Sequence, residues 1–335
     1  MDAISDSAFQ NTRLKQAVNE EAPSLLTVIV ETNPKLWAEL ERENQEHANL
    51  LDTLQSLLVF LNAHLAFNSA NQVAVIAAHS SEIRYLYPSP NRDPSVDRKS
   101  GDLSLINNDM YRQFRNVDEG VLEEIYNLLK EDRGHIGESE GVQKSTLSGA
   151  MSAGLAYINR ITKEQDSMSL KSRLLVLTCG TSGAKDEVFQ YIPIMNCIFA
   201  ATTMKCPIDV IKVGGTQEST FLQQATDATN GVYLHVATTD GVIQYFCSAM
   251  FIDPSLRTII VKPNQGSVDF RTSCYLTGKV VAVGYVCSVC LCVLSIIPPG
   301  NRCPACDSEF DEHVTTRLKR KPAVAIEPKR KKRAD

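Results

Sequence analysis

The sequence lacks any uninterrupted apolar run close to the ~20 residues that a membrane-spanning helix needs. Its first sixteen residues, Met1–Gln16, are polar and have no apolar centre, so we expect no secretory signal peptide. Without a secretory route, the ten cysteines are better explained as reduced thiols or metal ligands than as disulfides. These absences argue against a membrane protein and against a disulfide-stabilised secreted protein.

Motifs of the common enzyme families are also missing. Gly180-Thr-Ser-Gly183 follows a predicted strand, but it is neither a GxGxxG motif nor a P-loop ending in GK[ST]. No GxSxG nucleophile motif is present, and the six histidines are scattered along the chain. An enzymatic interpretation with Cys179 as nucleophile is disfavoured, because the apolar strand before it indicates a thiol of ordinary pKa. We therefore predict no enzymatic activity and no small-molecule substrate.

The charge is unevenly distributed along a chain of ordinary globular composition, with 43% hydrophobic and 22% charged residues. The net charge is −5, but the last 23 residues carry nine Lys or Arg and two acidic residues. The tail is therefore +7 and the rest of the chain −12. An acidic body repels phosphates, so we expect any contact with DNA to be indirect or weak.

Strands and helices alternate in the hydrophobic pattern. Short apolar, β-branched runs predict strands at Ser24–Val30, Gln72–Ala78, Ile83–Tyr87, Arg173–Thr178, Ile208–Val213 and Val232–Val236. Helical spacing predicts helices within 36–67, 110–129 and 145–161, and near 187–204, 217–229 and 240–251. This alternation is typical of an α/β fold with a doubly wound, mostly parallel sheet.

The pattern changes at Pro254, and periodicity is lost beyond Phe310. We predict four segments: a polar N-terminal lead at 1–19, an α/β domain at 20–252, a small β-rich cysteine module at 253–312, and a basic disordered tail at 313–335.

Two CxxC pairs, Cys287/Cys290 and Cys303/Cys306, are separated by twelve residues. Two residues between cysteines allow a tight turn to direct both sulfurs at one tetrahedral Zn²⁺, at about 2.3 Å. Four thiolates leave no position for water, so the predicted role is structural, with one zinc per chain. A module this small buries little apolar surface, so metal binding is expected to supply its folding energy.

The cysteine cluster could instead consist of two buried thiol pairs or a redox CxxC, although a redox CxxC does not normally occur twice at this spacing. Cys292 lies just outside the first CxxC pair and is predicted to be a packed thiol. Cys274 could begin a second site, but it has no nearby Cys or His partner in the sequence.

The loops after the predicted strands resemble, by position, the ion site of the von Willebrand factor type A domain. That family carries a DxSxS motif after the first strand, a threonine in a later loop and an aspartate after the fourth strand. The matching residues here are Glu31, Asn33, Lys35, Thr146 and Cys179. Mg²⁺ prefers hard oxygen ligands, which an ammonium and a thiol are not. The resemblance implies a von Willebrand A-type sheet with a degenerate ion site, where we expect no metal and a protein-binding surface instead.

An inactive von Willebrand A-like domain, a four-cysteine finger and a basic tail, in this order, resemble one family. It comprises the thirty-four-kilodalton subunits of the general transcription and DNA-repair factor TFIIH. The resemblance is carried by the run from Gly284 to Leu291 (GYVCSVCL), the Cys303/Cys306 pair and the strand entry from Thr229 to Leu234 (TNGVYL). It covers about residues 20–310.

The resemblance implies a non-catalytic subunit of the TFIIH core. Such a subunit would bind the forty-four-kilodalton subunit through that partner's C-terminal zinc-binding domain. The pair would help to anchor and regulate the helicase subunits in promoter opening and nucleotide excision repair.

The basic tail fits a nuclear protein. It ends in Lys329, Arg330, Lys331, Lys332 and Arg333, which form a candidate nuclear import signal. The alternatives are a solvated charge run without a partner and a zinc-ribbon protein that binds nucleic acid through the finger and the tail. The second alternative is disfavoured because Arg302 is the only basic residue between Cys290 and Cys303.

Overall fold

The computed structural model describes residues 22–43, 49–80, 82–89, 110–135, 146–164, 170–179, 184–215, 218–254, 256–261, 263, 268, 270–281 and 283–319. Contacts within the chain divide it into two compact units, the first ending at Phe270 and the second beginning at Arg271. Residues 253–270, which the sequence pattern assigned to the cysteine module, therefore group with the α/β unit.

The first unit alternates strands and helices. Its strands are β1 (Ser24–Glu31), β2 (Gln72–Ala78), β3 (Ile83–Tyr87), β4 (Lys171–Thr178), β5 (Ile208–Val213) and β6 (Tyr233–Val236). Its helices are α1 (Pro34–Glu43), α2 (Leu50–Phe67), α3 (Arg112–His135), α4 (Leu147–Glu164), α5 (Ala184–Thr203), α6 (Thr220–Ala228) and α7 (Val242–Tyr245). Helix α7 continues as a π-helical turn, Phe246–Met250, and a 3₁₀ turn follows at Leu256–Thr258.

The strands form one six-stranded sheet in the order β3-β2-β1-β4-β5-β6. All neighbouring pairs are parallel except β2 and β3, so β3 is an antiparallel edge strand. The chain order reverses between β1 and β4, where a doubly wound sheet opens a crevice at the carboxyl ends of its strands. The predicted doubly wound, mostly parallel sheet is confirmed.

Helices cover both faces of the sheet. One buried cluster packs α1, α2, α3 and α7 against one face, and a second packs α4, α5 and α6 against the other. Helix α2 is, among the described residues, the one helix long and apolar enough to span a membrane by length and composition. Its predicted leucine face, including Leu54, Leu57 and Leu61, is buried in the first cluster, which is how a core helix of a sheet protein behaves.

The second unit is small and β-rich, as predicted. It contains two short antiparallel ladders, β7 (Thr272–Ser273) with β8 (Val280–Val281) and β9 (Tyr285–Val286) with β10 (Val293–Leu294). A single bridge joins Arg302 to Glu309. Two-residue strands bury too little apolar surface to be stable alone.

The beginning of the predicted disordered tail is instead helical, since α8 spans Glu312–Lys319. The reason is local: Asp311 caps this helix by accepting a hydrogen bond from the His313 backbone N–H at 2.8 Å. Thr315 of this helix is buried. The candidate import signal at 329–333 lies outside the described residues.

Candidate functional site

The four predicted ligands Cys287, Cys290, Cys303 and Cys306 lie together in the second unit. All four sulfurs are within 4.8 Å of one another. The Sγ–Sγ distance is 3.8 Å between Cys287 and Cys306 and 3.5 Å between Cys290 and Cys303. Four sulfurs at ~2.3 Å from a tetrahedral zinc are about 3.8 Å apart, so the donor set fits Zn²⁺. These cysteines could hold one metal ion.

Two backbone turns of the same form aim the sulfurs inward. In the first, Leu291 N–H donates to Cys287 O and Cys287 N–H donates to Cys292 O, both at 3.0 Å. In the second, the corresponding bonds join Asp307 to Cys303 and Cys303 to Ser308 at 2.9 Å. Leu291 and Asp307 have φ angles of 63° and 58°, the left-handed conformation that closes each turn. Each CxxC spacing therefore corresponds to one backbone turn.

A fifth cysteine adjoins the cluster. Cys292 is buried, and its Sγ lies 3.3 Å from that of Cys303. The Ser308 hydroxyl lies 3.0 Å from the Cys306 sulfur and 3.5 Å from the Cys287 sulfur. Both groups contact the predicted ligands from outside the set of four, where neighbours orient ligands and tune a metal centre.

Cys274 begins a third turn of the same form, which the sequence pattern did not reveal. Its N–H donates to Lys279 O and Gly278 N–H donates to Cys274 O, both at 2.8 Å. Thr277 stands where the other two turns carry their second cysteine, and the Ser295 hydroxyl lies 3.1 Å from the Cys274 sulfur. Burial acts to raise the Cys274 pKa, but the bonds from Ser295 and Thr277 outweigh it and lower the pKa to about 6.

At the carboxyl edge of the sheet, the structure brings Glu31 and Cys179 together. Glu31 ends β1, and its carboxylate is buried. Its Oε2 accepts a hydrogen bond from the Thr178 hydroxyl at 2.6 Å and one from the Cys179 backbone N–H at 3.2 Å. The carboxylate of the predicted degenerate ion site is therefore bound by groups at the end of the neighbouring strand β4.

The other predicted positions of this site have separate structural roles. The Asn33 side chain accepts from the Lys35 backbone N–H at 3.1 Å and so caps α1. Lys35 itself is exposed. The Thr146 hydroxyl donates to the His79 carbonyl at 2.5 Å at the start of α4. One carboxylate, one amide already used as a cap and a thiol do not supply the oxygen shell of Mg²⁺, so these residues do not fit that ion.

The Cys179 thiol is not a nucleophile of ordinary reactivity. It is buried, and burial together with the nearby negative charge of Glu31 raises its pKa well above the usual value, against a smaller opposing effect of Lys212. The expectation of an ordinary thiol pKa is corrected accordingly. A thiol kept protonated and shielded from water is a poor nucleophile, which removes the basis of the enzymatic interpretation.

Two buried polar residues near this edge were not predicted as part of the site. His79 is buried, with Nδ1 3.1 Å from the Thr32 carbonyl and Nε2 3.6 Å from the Asp132 carboxylate. Lys212 is only 2% exposed although it carries a charge within β5 of the sheet. The sequence contained a signal for Lys212, because Asp209 and Lys212 are charged residues within an otherwise apolar strand.

Comparisons with known proteins agree with this architecture. A family model described as transcription factor Tfb4 matches residues 23–307. The General transcription and DNA repair factor IIH subunit TFB4 of Saccharomyces cerevisiae is 66% identical over 328 residues, 97% of this chain and 96% of that protein. The corresponding subunit of Schizosaccharomyces pombe is 39% identical over 87% of this chain and 90% of that protein.

Among solved structures, the TFIIH p34 N-terminal domain superposes with a TM-score of 0.52. It is 30% identical and covers 68% of this chain and 97% of that chain. The resemblance to the thirty-four-kilodalton TFIIH subunits, drawn from the finger run, the Cys303/Cys306 pair and the strand entry from Thr229 to Leu234, is confirmed. On the family model and on relatives matched over nearly their whole length, this chain belongs to the transcription factor Tfb4 family.

Proposed function

We propose that this chain is a non-catalytic, structural subunit of the TFIIH core complex, acting in RNA polymerase II transcription initiation and nucleotide excision repair. One observation carries the proposal: relatives that match along nearly the whole chain are named as subunits of that factor. The chemistry of the strand-end site supports it, because a bound carboxylate and a suppressed thiol provide neither an ion site nor a nucleophile.

The direct partner in this proposal is the forty-four-kilodalton TFIIH subunit, and together the two support the helicase subunits. The carboxyl edge of the sheet is the binding surface we favour, since doubly wound folds bind their ligands there. Lys35 is exposed at this edge and is available to contact a partner.

The metal of the second unit is, in this proposal, one structural Zn²⁺ held by Cys287, Cys290, Cys303 and Cys306. Bound zinc would supply a closed, tetrahedral crosslink between the two turns and no reactive position. The sulfur separations and the matching turns support the assignment.

Co-elution with the recombinant forty-four-kilodalton subunit on gel filtration, in reducing buffer with zinc, tests the partner. We expect a stable complex, and separate elution would contradict the proposal. Lys35→Glu, at the carboxyl edge, is expected to weaken the complex about tenfold, as loss of a contact worth ~1.4 kcal/mol would. Lys205→Glu is the matched control, because it makes the same charge change on an exposed residue shortly before β5, at the opposite edge of the sheet.

The nucleus is the proposed location, with 329–333 as the import signal. A fluorescent fusion that lacks these five residues is expected to lose nuclear accumulation when the TFIIH partners are not co-expressed. Unchanged accumulation would indicate that the charge run is only solvated.

The charge of +7 in the last 23 residues favours one second candidate, a zinc-ribbon protein that binds nucleic acid. That function predicts DNA binding whose affinity falls steeply with salt and disappears on truncation after Phe310. Arg302 argues against it, because its guanidinium is paired with Glu309 at 2.5 Å.

A further inference from the structure

Three polar side chains form a row across the carboxyl ends of neighbouring strands. Thr178 of β4 and Lys212 of β5 are register partners. Glu31 follows the Val30–Leu177 pair of β1 and β4, and its carboxylate accepts from Thr178 at 2.6 Å. The residues two positions earlier, Ile29, Val176 and Val210, all belong to the second buried cluster. Since side chains alternate along a strand, Glu31, Thr178 and Lys212 lie on that same face.

This row is closed to water. Glu31 is 4% exposed, Thr178 3% and Lys212 2%. An isolated charge in such a place is very costly, so a buried carboxylate and a buried ammonium are tolerated only with opposite charges close by. Adjacent strands lie about 4.8 Å apart, which puts two strand spacings between Glu31 and Lys212. The glutamate side chain already reaches Thr178 in the middle, and the four-carbon stem of lysine can cover the remaining spacing.

The pKa of the Cys179 thiol is affected by the charges of both Glu31 and Lys212. The negative charge of Glu31 raises its pKa and the positive charge of Lys212 lowers it. Two charges of opposite sign therefore act at the same buried point, directly after the strand that lies between them. No such cation is expected of an ion site that binds a divalent metal, because an ammonium there repels the metal electrostatically.

We propose that the Lys212 ammonium is the built-in counter-cation of Glu31 and takes the place that a divalent ion holds in a von Willebrand A-type ion site. The covalently attached cation neutralises the carboxylate permanently. The carboxyl edge of the sheet then keeps one conformation whatever the magnesium concentration. The inference concerns the α/β unit alone and does not depend on the proposed partner.

A double-mutant cycle in the full-length, zinc-loaded protein tests the pairing. Lys212→Met and Glu31→Gln each keep side-chain length and remove one charge. Each single variant is expected to raise the unfolding equilibrium constant in urea about 100-fold or more, because it removes the opposite charge that we propose neutralises the remaining one. The double variant is expected to recover at least about tenfold of the combined loss. Strictly additive losses would overturn the proposal.

Lys130→Met is the matched control for this cycle. It makes the same chemical change at an exposed position of α3, where the unfolding equilibrium is expected to change about twofold or less. Millimolar MgCl₂ added to the wild-type protein is expected to leave its unfolding midpoint unchanged. A magnesium-dependent rise in that midpoint, abolished by Glu31→Gln, would show a divalent site and contradict the proposal.

A crystal structure of the wild-type protein grown with magnesium decides the matter even where the variants do not fold. We expect the Lys212 ammonium within ion-pair distance of the Glu31 carboxylate. Magnesium bound to Glu31, or a lysine side chain directed away from it, would refute the assignment.

Discussion

The two units of this chain neutralise their polar groups and bury their apolar groups in different ways. In the first unit, two clusters of apolar side chains, aliphatic and aromatic, cover both faces of a six-stranded sheet. In the described part of the second unit, buried apolar residues other than cysteine are only Val293 and Leu294. Val283, Val289 and Ile296 are exposed there. A sheet of this size can be stable by hydrophobic burial, whereas ladders of two residues cannot.

The same contrast holds for charge. In the first unit, buried ionic groups meet partners from the chain, as where Arg257 donates both terminal nitrogens to the Asp209 carboxylate at 2.8 and 2.6 Å. In the second unit, four cysteine sulfurs converge within 4.8 Å of one another, an arrangement that a bound cation could neutralise. The comparison teaches that the first unit is complete by its own side chains, whereas the second brings together four cysteines that could hold a metal ion.

The largest expected effect comes from removing the proposed zinc ion. Chelation, or Cys290→Ser, is expected to unfold the second unit and leave the first folded, because structural zinc contributes about 10–16 kcal/mol of apparent binding energy in small domains. Hydrogen exchange should show loss of protection in 271–319 and retained protection in the sheet, together with loss of about one zinc per chain by elemental analysis.

Cys247→Ser is the control for the zinc experiment. Cys247 is an exposed thiol of the first unit, so its replacement is expected to change neither the zinc content nor the exchange pattern. Full protection of 271–319 in metal-free protein would mean that the second unit folds by itself, and the comparison between the units would fail.

A smaller but clear effect is expected in the core of the first unit. Leu175 is 1% exposed and lies in β4 at the centre of the sheet. Leu175→Ala is expected to cost about 2–5 kcal/mol in urea unfolding, as does Leu58→Ala in α2, because each leaves a cavity. Val59, beside Leu58, is half exposed, and Val59→Ala should change stability by less than about 1 kcal/mol. Equal losses of stability in Leu58→Ala and Val59→Ala would show that a different face of α2 packs against the core.

Much of the first unit could be predicted because its local signals agree with its fold. The run that predicts β5 coincides with the observed strand Ile208–Val213, since β-branched residues bounded by turn formers determine it. The clustering of the four cysteines could be predicted for a similar reason, because a CxxC spacing fixes a turn without reference to distant residues.

Features that depend on distant residues could not be predicted. The proposed role of Lys212 depends on its register with Thr178 of β4, a residue 34 positions earlier in the chain. The contact of the Cys274 sulfur with Ser295 could not be predicted, because Ser295 lies 21 positions later, directly after β10, and serine is not a usual metal ligand. The boundary between the two units at Phe270 could not be predicted either. Residues 253–270 belong to the first unit through contacts such as that of Arg257 with Asp209.

An intermediate effect is expected from pH in the first unit. Burial, and next the positive charge of Arg173, lower the His64 pKa from 6.5 to about 4. The unfolded chain then binds a proton more tightly than the folded one. Neutral His64 therefore makes its full contribution to the free energy of unfolding above about pH 6.5. As the pH falls from 6.5 towards 4, the free energy of unfolding decreases by about 3 kcal/mol. His64→Gln is expected to flatten this part of the urea stability profile.

His313→Gln serves as the control, since His313 is exposed in α8 of the second unit. Its pH profile is expected to match that of the wild-type protein between pH 4 and 7. An unchanged slope in His64→Gln would show that His64 is hydrated in solution, contrary to its burial in α2.

The smallest effect is expected from an ion pair of the second unit, and it separates charge pairing from metal binding there. The Arg302 guanidinium lies 2.5 Å from Glu309, but both side chains are more than half exposed. Water screens such a pair, so Arg302→Gln is expected to cost only about 0.2–1 kcal/mol, measured as the change in thermal unfolding of zinc-loaded protein. Glu309→Gln should cost the same, and the double variant no more than either. A loss from Arg302→Gln as large as that from Cys290→Ser would mean that surface charges stabilise the second unit as much as the proposed zinc does.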